Sequence, residues 1–146
     1  MTRAARNTRS SRGSVALETV LVVPAFLLLV GLIIYGGRTA ITHQSLEAAA
    51  NDAARSGSLE RSGPEAARAA EAAARASIED QDIPCVAVQV STDQSGFQTA
   101  VGTDATFRVT VSCRLDLSDL AVPGVPGSRV LTASISSPID TWRERS

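Results

Sequence analysis

Residues 12–38 read RGSVALETVLVVPAFLLLVGLIIYGGR. Residues 19–37 of this stretch carry no charge, and at ~1.5 Å per helical residue they extend about 28 Å, close to the thickness of a bilayer's hydrocarbon core. The stretch therefore predicts a membrane-spanning helix, assigned to residues 14–37. Two details at its start need an explanation. A basic segment ends at Gly13, directly before the apolar run begins at Ser14, and a lone carboxylate, Glu18, stands five residues after that glycine. A carboxylate near the end of a spanning segment is costly and invites a functional reading.

Outward toward the N-terminus, residues 1–13 carry Arg3, Arg6, Arg9 and Arg12 and no acid. This segment is polar, without hydrophobic periodicity, and reads as a disordered or processed leader. Without it the chain has ten arginines against fifteen acids, a net −5 where the whole carries −1. Basic residues abutting a span are explained most simply by the positive-inside rule, which predicts a cytoplasmic N-terminus and an exported chain beyond residue 38. No nucleic-acid partner is needed to account for them. Within the span, Pro24 removes one backbone donor and predicts a kink over residues 20–23. Gly31, Gly36 and Gly37 leave room for a neighbouring helix, without forming GxxxG.

Outward in the other direction, residues 38–55 contain no glycine or proline. Thr42, Leu46, Ala49, Ala50 and Ala53 recur at helical spacing, so the helix is expected to continue as an amphipathic extension over residues 38–57. The stop signal is Ser56-Gly57-Ser58. A second helix starts at Ser62-Gly63-Pro64-Glu65, where Ser62 and Glu65 have capping-box spacing, and runs through an alanine-rich segment to a point before Pro84. Glu71 and Arg75 form an i, i+4 pair in the favourable order. Glu79, Asp80 and Asp82 read as a solvated acidic helix end and not as a calcium loop.

After Pro84 the period changes to two. Val86, Val88 and Val90 predict one strand, Asp93-Gln94-Ser95-Gly96 a turn, and Phe107, Val109, Val111, Cys113 and Leu115 a strong second strand. Residues 129–136 predict a third, with Leu131, Ala133 and Ile135 on one face. The loop Pro123-Gly124-Val125-Pro126-Gly127 precedes it. The expected fold class is α+β: a long helix, an alanine-rich helix, and a small antiparallel sheet of about three strands in an extracytoplasmic domain over residues 58–146. If the first two strands form a long hairpin, Cys85 and Cys113 meet and can bond, closing a loop worth about 3–4 kcal/mol in the chain-entropy model. The other reading is two buried free thiols.

With 146 residues and 3% aromatics, the chain has room for one small domain with a thin aliphatic core. A single histidine, His43, rules out an HExxH motif, and GxSxG and phosphate-binding glycine loops are absent from the sequence. The sequence predicts no enzyme, no catalytic residue, no cofactor and no metal site.

The junction RGSVALE at residues 12–18 resembles the class III signal of type IV pilins and pseudopilins, in which a basic leader ends in glycine and a glutamate comes five residues later. Ser14 stands where conventional pilins have phenylalanine. Within that superfamily residues 12–57 are similar to TadE-like proteins of the Tad (Flp) pilus system, through the RGxxxxE start, the aliphatic run broken by Pro24, the glycine-rich end, and the alanine-arginine continuation at residues 49–55. The resemblance implies a minor pilin or pseudopilin, single-pass in the cytoplasmic membrane. It implies cleavage by a prepilin peptidase between Gly13 and Ser14, with Glu18 as a recognition element. Other implied partners are further pilins or pseudopilins through the spanning helix, the membrane-embedded assembly platform, and the lipid bilayer. The rival expectation is an unprocessed single-pass protein whose extracytoplasmic domain binds a ligand.

Overall fold

A computed structural model describes residues 11–120 and 123–142, with the side chains described from Thr19 onward outside the 121–122 gap. The fold is α+β. Helix α1 (Ser11–Ser58) is followed by α2 (Gly63–Asp80) and by three strands: β1 (Cys85–Asp93), β2 (Ala105–Asp116) and β3 (Ser128–Ile139). The strands form one antiparallel sheet in the order β1-β2-β3. Short 3-10 turns at Ser95–Gln98 and Ser118–Leu120 flank β2.

Helix α1 has 48 residues and is unbroken through Pro24, so it is about 72 Å long. From Val20 to Ile34 it touches little else among the described residues, while its second half joins α2 in covering one face of the sheet. We call residues 38–142, as described, the head. The alanines explain how two helices fit over so small a sheet. Ala49, Ala50, Ala53 and Ala54 of α1 and Ala66, Ala70 and Ala74 of α2 are fully buried in one core, and residues without side chains beyond Cβ let helix axes approach closely. The sheet fills the rest with Phe107, Val109, Val111, Cys113 and Leu115 at alternate positions of β2. Each such valine, leucine or phenylalanine contributes about 1.5–3 kcal/mol by leaving water.

Gly57 ends α1's packed face. A Cβ there would overlap the Phe107 ring, so glycine at this position lets the ring lie directly against the helix backbone. The stop at Ser56-Gly57-Ser58 thus combines a helix end with a contact that only a missing side chain permits. Phe97, from the turn after β1, meets Phe107 edge-on with centroids 5.8 Å apart. These two rings supply the large anchors that the aliphatic core otherwise lacks.

Two expectations change in detail. Ser62 and Glu65 flank the start of α2, but their side chains bond to each other (Oγ to Oε2, 3.0 Å) instead of to backbone amides. The first turn instead has Pro64, which has no amide to satisfy. At the other end, Asp82 takes the left-handed conformation (φ 50°). The Asp82 amide donates to the Glu79 carbonyl and the Ile83 amide to that of Ile78, the Schellman pattern usually completed by glycine. Asp82 therefore closes a helix.

Val86 is the second change. Strict alternation groups it with Val88 and Val90, yet it is 66% exposed. A β-bulge lies between Cys85 and Ala87, which oppose the adjacent residues Leu115 and Arg114. The extra residue reverses the parity of the strand start. Cys85 thereby joins the core side with Val88 and Val90, and Val86 is put out.

The opposite face of the sheet is polar. Arg108 Nε donates to Ser136 Oγ at 3.0 Å, and Thr110–Ser134 and Ser112–Thr132 are hydroxyl pairs at 3.0 and 3.1 Å. These are directly opposed residues of β2 and β3, so the ladder fixes register on the solvent side while the apolar positions fix it on the core side.

Candidate functional site

The candidate site is the exposed half of α1 together with its junction to the head. Its chemistry is that of a surface and not of a pocket. From Val20 to Ile34 the large aliphatic and aromatic side chains other than Val30 are exposed among the described residues: Val20 is 70% exposed, Leu21 66%, Phe26 61% and Ile33 65%. A helix with 0% burial and mean hydropathy 2.5 in its most apolar window is long and apolar enough to cross a membrane. Gly36 and Gly37 have open space where a Cβ would lie, so nothing among the described residues uses the room they leave. Gly13, Ser14 and Glu18 fall within the first turns of α1, but their side chains lie outside the described residues, as do Arg3, Arg6 and Arg9 altogether. Pro24 stands inside the helix, on the exposed half.

The junction is built from residues that sequence alone did not bring together. Tyr35, still inside the uncharged run, is half-buried against the core of the head. One turn on, Thr39 Oγ1 donates to the Tyr35 carbonyl at 2.8 Å. Arg38, the first charge after the run, donates from Nη1 to Asp119 Oδ2 at 2.7 Å. Asp119 belongs to the 3-10 turn after β2, eighty-one residues away, a separation over which no periodicity signals the contact. Arg38, Ile41, Thr42, Pro84, Leu115, Asp116 and Asp119 line a shallow cleft at this level. Both ends of the ion pair are partly exposed, so it positions more than it stabilises. Beside it Asp116 accepts from the Ser118 amide at 2.9 Å, and that bond, followed by the Ser118 side chain, holds its carboxyl below the usual range. Asp93 is lowered in the same way by Ser95 at the opposite end of the sheet.

His43 is exposed on α1, 3.5 Å from Glu47. Among the described residues no three or more His, Cys, Asp or Glu side chains are grouped to hold a metal. Cys85 and Cys113 are bonded, with Cα atoms 5.5 Å apart. The bulge makes this possible. Cys113 opposes Val88 in register, and only the parity reversal puts the sulfur of Cys85 on the same side of the sheet as Cys113.

With the helix and its junction in view, comparison with known families is informative. Residues 13–55 match the model of the family described as TadE-like protein. Over these residues the N-terminal helix is similar to TadE-like proteins. The TadE-like match begins at Gly13 and ends three residues before α1 does, so it covers the exposed apolar half and the part that packs in the head. The similarity is to that family over this segment alone, and one N-terminal apolar helix fits a single-pass membrane protein. No match to a curated protein or to a solved structure accompanies it. The α2 helix and the sheet lie beyond the matched residues.

Proposed function

We propose that the chain is a TadE-like minor pilin or pseudopilin, cut by a prepilin peptidase between Gly13 and Ser14 and acting in assembly of a Tad-type pilus. The observation that carries this reading is the coincidence of three limits: the family match, the leader-to-apolar junction and a continuous helix with an unpartnered apolar half. In this reading residues 1–13 stay in the cytoplasm and orient the protein, and the head is extracytoplasmic. The apolar half holds the subunit in the bilayer and afterwards packs against other pilin helices, with Gly36 and Gly37 admitting a close neighbour and Pro24 bending the span. Glu18 neutralises the amine that cleavage creates on a neighbouring Ser14, because either charge alone would be costly in an apolar helix bundle. Gly13 offers the peptidase a scissile bond without an obstructing Cβ.

The test is N-terminal sequencing and intact mass of the membrane-extracted protein. Wild type is expected to begin at Ser14 and Gly13→Leu to keep the leader. Identical N-termini in the two would refute processing. Glu18→Ala is expected to be cut but to fail in assembly, and normal assembly would remove the charge-pair role. A wild-type chain that retains its leader would favour the unprocessed, membrane-anchored binding protein.

A further inference from the structure

The head is not hung from the span by a linker. Tyr35 lies inside the uncharged run yet packs on the head's core, and Arg38, at the end of that run, is bonded to Asp119. The core of the head therefore starts before the apolar run stops. The direction of β2 determines which part of the head is level with that point. Gly57 faces Phe107 near the start of β2, while Thr42 and Arg38 share a cleft with Leu115 and Asp116 at its end. From residue 38 to 57 the helix rises about 28 Å. From residue 107 to 116 the strand covers about 30 Å. The two run antiparallel over equal lengths, so the ends of the sheet at Cys85, Asp116 and Ser128 lie at the level of Arg38. Helix α2 stops higher, since Ser77 Oγ donates to Asp52 at 3.0 Å, and Asp52 is about 21 Å along α1 from Arg38.

The side chains at this end suit a lipid surface. Val86 is 66% exposed and Val130 58%. Val130 opposes Arg114 across the sheet. Between Asp119 and Arg129 the sequence carries no charge, and Val125 stands in that stretch. The Leu117 amide donates to the Gly127 carbonyl at 2.8 Å, holding the two ends of the stretch together. Arg114 and Arg129 are exposed around these residues. Two carboxylates share this level, but Asp119 is paired with Arg38 and Asp116 accepts from the Ser118 amide. That leaves Arg114 and Arg129 beside the valines, a composition that sinks aliphatic carbon to the acyl boundary while guanidinium groups stay with phosphates.

We propose that this end of the sheet rests on the bilayer that α1 crosses, with Val86, Val125 and Val130 at the boundary between headgroups and acyl chains and Arg114 and Arg129 among the lipid phosphates. The proposal depends on α1 being a membrane span but not on processing or on which leaflet is met. The head is thereby docked in a fixed orientation, with its hydroxyl ladder upright to the membrane.

The full-length chain provides its own reference, because Trp142 is its one tryptophan and lies at the opposite end, where the Thr141 carbonyl accepts from the Gly102 amide. The chain is reconstituted in phosphatidylcholine and phosphatidylglycerol vesicles, with or without acyl chains brominated near the headgroup. Tryptophan fluorescence is read in the native chain and in Val125→Trp, Val130→Trp and Leu28→Trp, each combined with Trp142→Phe. Reporters at 125 and 130 are expected to lose about half their emission to bromine, the depth of an interfacial element, while Trp142 keeps its own. If Leu28→Trp is quenched and both surface reporters are not, the docking is refuted and the span survives. If Leu28→Trp is not quenched, the span fails and the docking with it. Blue-shifted emission at 125 and 130 without quenching would mean burial against protein, and quenching of Trp142 equal to theirs would mean a head without fixed orientation; either result overturns the proposal.

Discussion

At Gly57 two residue-scale effects compete. Alanine is the better helix former by up to about 1 kcal/mol, but its Cβ would overlap a ring that is fully buried. Overpacking a dense core costs about 1–3 kcal/mol, and the gain in propensity is smaller near a helix end. Gly57→Ala is therefore expected to lower stability by roughly 1–2 kcal/mol, read as a lower urea midpoint of the full-length protein in detergent. Phe107→Leu in the same chain is expected to recover part of the loss, and the double-mutant cycle isolates the contact. An unchanged midpoint for Gly57→Ala would contradict the packing. Residue chemistry also shows where single letters mislead. Ser62 and Glu65 have the spacing of a capping box but satisfy each other, and Asp82, which reads as one charge of an acidic end, occupies the left-handed position of a helix cap.

The central strand and both helices were legible at the scale of elements because each carries a period of its own. Leu131, Ala133 and Ile135 lie along one face of β3 as their spacing requires. The spacing hides one feature, the start of β1. Its alternation is correct from Val88 onward, but a bulge of one residue cannot be read from parity, and everything before it is reversed. The disulfide is a product of that reversal. Closing a loop over 28 positions, it is worth about 3–4 kcal/mol to the head in the chain-entropy model. Reduction by dithiothreitol, or Cys85→Ala with Cys113→Ala, is expected to lower the melting temperature by at least ~10 °C, since ~1 kcal/mol shifts a domain of this size by several degrees. A change of only a degree or two would mean that the unfolded chain gains little freedom when the bridge is lost.

The molecule as a whole joins two solvent classes in one helix. From Val20 to Ile34 this helix is apolar on all sides, which a soluble fold does not tolerate and a bilayer requires. High salt and alkaline carbonate are expected to leave the protein in the membrane fraction, and detergent to release it. Release by carbonate would be incompatible with a spanning helix. At the N-terminal edge of the candidate site the proposed roles of Gly13 and Glu18 rest on the sequence alone, where the signal is local. The site was not legible at the head, because the contacts of Arg38 with Asp119 and of Tyr35 with the core depend on how far β2 runs back along α1. That antiparallel match has a mechanical meaning. The helix is held at its lower contact by the Arg38–Asp119 pair and at its upper one by Ser137 Oγ donating to Ser58 Oγ at 3.0 Å. A tension applied along α1 from its apolar end therefore loads the helix–sheet interface in shear, with its rows of contacts strained together, and does not peel the head away one residue at a time.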